Sequence, residues 1–211
     1  MTSEVSEYYK LWDILSRTWG EAGLLRRDLP TALAAMIYLR WADFQEAELE
    51  AFAAFDETDY TPVLPAGLHW RTWHELPARE LQLFFDEPLS SALEGLSNFR
   101  HNTLATHLHR IAPAVRKLAR LTPGALNTLT HWLADQPFET PADRKAILNL
   151  FDSVLDKARD KYADESRIPG AIIQLMVALA APAAGERVYD PSFGSAGLLT
   201  AACDYVRQEA N

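Results

Sequence analysis

The segment Arg187-Val188-Tyr189-Asp190-Pro191-Ser192-Phe193-Gly194-Ser195-Ala196-Gly197-Leu198-Leu199 constrains this chain most, because it reads as a short buried strand emptying into a small-residue turn that opens a helix. Its glycines let backbone approach a ligand closely and accept positive φ, while the new helix turns free N–H groups and its positive dipole end toward the turn. Asp190, at the carboxyl end of the strand, adds a fixed acceptor. Nucleotide-type cofactors are held in this way. The segment closes just short of Asn211, whereas a doubly wound α/β domain needs several more βα units to complete its sheet. The expectation is a helical region joined to the opening of a cofactor domain, with part of any catalytic site outside these residues.

Spacing excludes several better-known loops. A phosphate loop requires Gly-Lys-Ser/Thr, but Leu198 and Leu199 follow Gly197. A nucleophile elbow around Ser195 requires glycine where Phe193 stands, so Ser195 reads as a turn or cap hydroxyl. The dinucleotide fingerprint also fits badly, since only Gly194 and Gly197 fall within the turn and Asp190 precedes them. Elsewhere, His107 and His109 alternate on a helix and point apart, and Asp152 and Asp156 sit beside Lys157 and Arg159 on a solvated face. Neither a metal site nor a catalytic constellation is expected.

Upstream of the turn, apolar residues recur at helical spacing, punctuated by Pro after capping residues. A first helix is expected from Val5 to Trp19, and a second from Leu29 to about Phe55, capped by Asp28 with Leu33, Ile37, Trp41 and Phe44 along one face. His69-Trp70-Arg71-Thr72-Trp73 is expected as a short extended piece with both Trp on one side. Helices follow over 78–85, 89–96, 103–121 (bent at Pro113) and 123–134. The clearest start is Thr140-Pro141-Ala142-Asp143, where a Thr cap, a Pro and an acid in the first turn coincide, leading to a stripe of Ile147, Leu150, Phe151, Val154, Leu155, Ala158 and Tyr162. After the polar break at 164–167 a helix runs from Pro169 to Ala180, and Val188-Tyr189 form the strand. The expected division is 1–165 helical and 166–211 the start of the cofactor domain.

Composition narrows the setting. With 48% hydrophobic residues and six Trp among 211, the chain can bury a sizeable core. Its longest apolar run, from Ile172 to Pro182, is interrupted by Gln174 and too short for a bilayer, and Met1-Thr2-Ser3-Glu4 does not open a signal peptide, so a cytoplasmic protein is expected. Cys203 alone allows no internal disulfide and is expected to face the core. A net charge of −9 argues against a phosphate-gripping surface. The basic stretch with Arg100, Arg110, Arg116, Lys117 and Arg120 reads as a solvated helix face rather than a DNA-facing one, and the acids from Asp43 to Asp59 as a solvated rim.

The segment Ile168-Pro169-Gly170-Ala171-Ile172-Ile173-Gln174, followed by Val188-Tyr189-Asp190-Pro191-Ser192-Phe193-Gly194-Ser195-Ala196-Gly197, resembles the start of the methylase domain in modification subunits of type I restriction–modification systems. These are adenine-N6 DNA methyltransferases. Leu39 to Asp43 is similar to a stretch in the family's N-terminal helical domain. The resemblance implies a mainly α chain: a helical bundle domain, then the first helix–strand–helix of a truncated Rossmann-like domain dependent on S-adenosyl-L-methionine. It implies that Asp190, Pro191, Ser192, Phe193 and Gly194 line the cofactor site and that the loop Ser166, Arg167, Ile168, Pro169 and Gly170 closes over its methionine end. It further implies DNA as part of a complex, with a specificity subunit and a restriction subunit as partners, and no membrane.

Ile168 stands where the family carries Thr, and Phe193 where it carries a smaller residue. The ribose-binding acid and the Asn-Pro-Pro-aromatic motif that grips the flipped adenine are expected beyond Asn211, so the chain alone is expected to be inactive. The alternative from a different class is a non-catalytic helical interaction module or a decayed remnant.

Overall fold

A computed structural model describes residues 19, 22, 28–98, 102–159, 168–192 and 196–209. Internal contacts divide the chain into two compact units, Met1–Asp160 and Lys161–Asn211. The expected first helix lies outside the described residues apart from Trp19, which is helical and buried.

In the first unit the long helix α1 spans Leu29–Phe55. Short helices follow at Trp70–Trp73 (α2), Ala78–Phe84 (α3) and Ser90–Gly95 (α4), then longer ones at Thr103–Leu118 (α5), Pro123–Ala134 (α6) and Pro141–Arg159 (α7). The later boundaries follow local cap chemistry. Asn102 Oδ1 accepts the Ala105 N–H at 3.0 Å to start α5, and Thr122 Oγ1 accepts the Ala125 N–H at 3.3 Å to start α6. At α7 a full capping box forms: the Asp143 N–H donates to Thr140 Oγ1 at 3.1 Å, and the Thr140 N–H donates back to Asp143 Oδ2 at 2.9 Å. The Thr140 hydroxyl and N–H hold the Asp143 carboxyl below the usual range.

Pro88 reshapes the α3–α4 junction, because it lacks an N–H and crowds the preceding turn. Phe85–Leu89 widens into a π-turn, and the Ser90 hydroxyl donates to Phe85 O at 2.5 Å. α5 continues through Pro113 to Leu118.

One apolar core joins Leu33, Met36 and Leu39 of α1 to Trp73, Leu81, Phe85, Leu93, Leu108, Val115, Leu126 and Leu133. Trp70–Trp73 corrects the expected extended piece. Residues three apart fall on opposite faces of a strand but on one face of a helix, so helix formation buries both Trp rings, with centroids 4.7 Å apart. Asp28 precedes α1 as expected but makes no cap bond; its Oδ1 instead accepts from Lys117 Nζ at 2.7 Å.

The expected solvated acidic rim holds at Glu48, Asp56, Glu57 and Asp59, which are exposed, and is corrected at its start. Asp43 and Glu46 are buried. Glu46 is completely enclosed, accepting the Val63 and Leu64 N–H groups and the Tyr60 hydroxyl. Asp43 accepts the Arg71 N–H at 3.2 Å, and its Oδ1 lies 2.9 Å from His69 Nδ1. Two carboxylates one helical turn apart therefore replace water for the backbone that passes beside α1. Burial, then the neighbouring Glu46, pushes the Tyr60 phenol up to about 12.

In the second unit α8 spans Gly170–Ala180 and α9 spans Gly197–Glu209. Val177, Ala201 and Ala202 form a small core with Ile173, Leu198 and Tyr205. The apolar stripe of α9 thus passes through 198, 201, 202 and 205, which leaves Cys203 exposed and corrects its expected core position. Among the described residues there is no β-strand. Val188 and Tyr189, expected as a buried strand, are 44% and 85% exposed. A strand is stabilised by a neighbour across its hydrogen-bonding edge, and no described segment supplies one.

Glu46→Leu should lower the urea-unfolding free energy of the first unit by about 3 kcal/mol, because it orphans the buried Leu64 N–H, the part-buried Val63 N–H and the Tyr60 hydroxyl. Glu50→Gln, whose partner Arg71 is half exposed, should cost under about 1 kcal/mol.

Candidate functional site

The two segments singled out in the sequence precede the two helices of the second unit. Ile168 and Pro169 lead into α8, where Pro169 O accepts the Ile172 and Ile173 N–H groups at 2.9 and 3.0 Å. Ile168, Pro169 and Gly170 are exposed. Asp190 and the exposed Pro191 and Ser192 lie on the turn ahead of α9. Ser166, Arg167, Phe193 and Gly194 lie outside the described residues.

The helix pair sets the geometry. A Cβ built on Gly197, the first residue of α9, would stand 3.3 Å from Ile173 Cδ1, in the first turn of α8. Absence of a side chain at 197 therefore lets the N-terminal turns of α8 and α9 lie side by side. Each start brings a positive dipole end and first-turn N–H groups, so their common end favours an anionic group such as a carboxylate.

Asp190 is half-buried, and its Oδ1 accepts the Ser192 N–H at 2.9 Å, an Asx-turn that redirects the chain toward α9. Only one carboxylate oxygen is engaged in that bond. At the turn's far side Ala196 takes φ +62°, and its carbonyl accepts the Thr200 N–H and hydroxyl, both at 2.9 Å. A residue with a Cβ is strained in that left-handed conformation. The link between the helices holds a second tie, in which Ala183 N–H donates to Glu186 Oε2 at 3.0 Å and Ala183 O accepts the Glu186 N–H at 3.2 Å.

Other candidates have structural partners. His107 Nδ1 lies 3.1 Å from the Tyr38 hydroxyl, whereas His109 Nδ1 lies 3.1 Å from Glu94 O. Arg116 pairs with Glu94 and Lys117 with Asp28. Among the described residues no group of His, Cys, Asp and Glu is arranged to hold a metal, and no helix is long and apolar enough to cross a membrane. The Asp43–Glu46–His69 cluster escaped the sequence reading, and its only sequence signal is the i, i+3 spacing of the two acids on an apolar helix face.

This architecture, a helical unit followed in sequence by a two-helix unit, is similar in fold to parts of solved chains from type I restriction–modification systems. A chain from the solved type I restriction–modification system, described for its complex assembly and conformational transition, matches with TM-score 0.75 at 24% identity, over 98% of this chain and 41% of that one. A second structure, described as a type I restriction enzyme modification subunit from Vibrio vulnificus YJ016, matches with TM-score 0.67 at 18% identity, over 99% of this chain and 46% of that one.

Among curated proteins, the methylase subunit of the type I restriction enzyme EcoEI from Escherichia coli is 25% identical over 206 residues, covering 93% of this chain and 40% of that protein. Residues 152–211 match the N-6 DNA Methylase family model. The resemblance to type I modification subunits therefore agrees with the family model over 152–211, and with the curated relative and the solved structures over nearly the whole chain. The chain spans about two fifths of the length of these relatives.

Ala196→Gly should remove the left-handed strain and stabilise the turn by about 1 kcal/mol, read as slower amide exchange at the start of α9.

Proposed function

We propose that this chain is the N-terminal portion of a DNA methyltransferase subunit of a restriction–modification system, acting on adenine N6 with S-adenosyl-L-methionine as methyl donor. Residues 1–165 form its helical domain, and 166–211 open a Rossmann-like cofactor domain. What carries the reading is the paired N-terminal turns of α8 and α9, preceded by the two segments that the family resemblance assigns to the cofactor.

The methionine end of the cofactor carries a carboxylate and an ammonium. The first-turn N–H groups at the starts of α8 and α9 suit the carboxylate, and the free oxygen of Asp190 suits the ammonium. Of the residues the resemblance assigns to the cofactor, Ile168, Pro169 and Gly170 would flank it on one side, and Pro191 and Ser192 on the other. Bound there, the cofactor supplies an electrophilic methyl on sulfur. The 211 residues contain no Asn-Pro dipeptide, so by this reading they form one wall of a pocket and transfer no methyl group alone. The helical domain then docks on partner subunits or DNA within a cytoplasmic complex.

A second reading, a non-catalytic interaction module, is favoured by the exposure of Ile172, Leu175, Met176 and Leu179 on α8, with no strand among the described residues.

Calorimetric titration with S-adenosylmethionine separates the two. The 211-residue chain should bind too weakly for calorimetry, and a form extended by the downstream coding sequence should bind, with Asp190→Ala weakening it about tenfold. No binding by either form would favour the interaction module.

A further inference from the structure

The last turns of α1 carry an exposed apolar stripe. Leu49, Phe52 and Phe55 are 40%, 66% and 88% exposed, although the same helix buries Leu33, Met36 and Leu39 further back. Phe52 sits at the centre of that stripe. Leu49 and Phe55 are three residues to either side of it and Glu48 four before it, so these share one helix face, and Asp56 follows as the helix C-cap. An aromatic pair held open to water at the end of a rigid helix is costly in a chain that buries Trp73 and Phe85 completely.

Charge identifies what fits. From Trp41 to Trp70 the chain carries seven acids (Asp43, Glu46, Glu48, Glu50, Asp56, Glu57, Asp59) and no Lys or Arg. Three of these are engaged internally: Asp43 and Glu46 by the backbone beside α1, and Glu50 by Arg71. Glu48 and Asp56, flanking Phe52, are exposed, and among the described residues no side chain pairs with theirs. Such a field repels a phosphate backbone and attracts a cationic partner.

We propose that the exposed face at Leu49, Phe52 and Phe55 is a protein-docking surface for a basic amphipathic helix of another polypeptide. The apolar stripe of that helix would cover the two Phe rings, and Lys or Arg on its flanks would meet Glu48 and Asp56. The proposal rests on the first unit alone and does not depend on the methyltransferase reading.

Two fluorescent synthetic helices test it on the full 211-residue chain. One carries leucines at i, i+3, i+4 and i+7 with lysines beside them; its twin has glutamates in place of the lysines. Anisotropy should show binding of the lysine helix only. Phe52→Ser and Phe55→Ser, at exposed positions that leave the fold intact by circular dichroism, should each weaken binding about tenfold or more. Glu48→Gln with Asp56→Asn should weaken it about threefold and flatten its salt dependence.

Equal binding of both helices, or lysine-helix binding untouched by Phe52→Ser and Phe55→Ser, would overturn the proposal. Dimerisation of the chain through this face, seen by sedimentation and abolished by Phe52→Ser, would overturn it in favour of a second copy.

Discussion

A carboxylate sealed from water survives only where the fold supplies every hydrogen bond that water would have made, and Glu46 occupies such a place. The Val63 and Leu64 N–H groups and the Tyr60 hydroxyl converge on it, while one turn away Asp43 holds the Arg71 N–H and faces His69. These contacts fix how the chain from Tyr60 to Arg71 lies against α1. That placement delivers Trp70 and Trp73 to the core, where Trp73 meets Phe85 edge-on with centroids 5.2 Å apart. The same helix is clamped on another side by Arg40, whose guanidinium donates to the carbonyls of Leu133 and Gln136 and stacks over the Phe138 ring. α1 is therefore the strut to which later elements attach through polar ties as well as apolar packing.

The second unit uses a different economy. Its core is small, and what organises it is a close approach at Gly197 that sets two helix starts side by side. Turn chemistry then tightens the approach to α9: an Asx-turn at Asp190 and a left-handed Ala196.

Sequence made plain the elements whose signals are local. The starts of α5, α6 and α7 follow cap side chains within three residues of the N–H groups they satisfy, and Pro123–Ala134 emerged with its expected ends. Elements decided by distant partners were not legible. The burial of Asp43 and Glu46 depends on backbone N–H groups up to 28 residues away. Trp70–Trp73 resisted because four residues are too few for periodicity to tell helix from strand. Val188 and Tyr189 have the composition of a strand, yet strand pairing is a property of neighbours that no local pattern supplies. Of the candidate site, the turn and its Asp were readable; the abutting helix starts that give it electrostatic sense were not.

The central claim is that the paired N-terminal turns of α8 and α9 receive the anionic end of a cofactor. Amide chemical-shift mapping of the isotope-labelled 211-residue chain, during titration with excess S-adenosylmethionine, tests it most directly because it registers weak binding residue by residue. The account predicts shifts concentrated at Gly170 to Ile173, Asp190 to Ser192 and Ala196 to Leu198. Shifts confined to the first unit, or none at these amides at saturating cofactor, would contradict it.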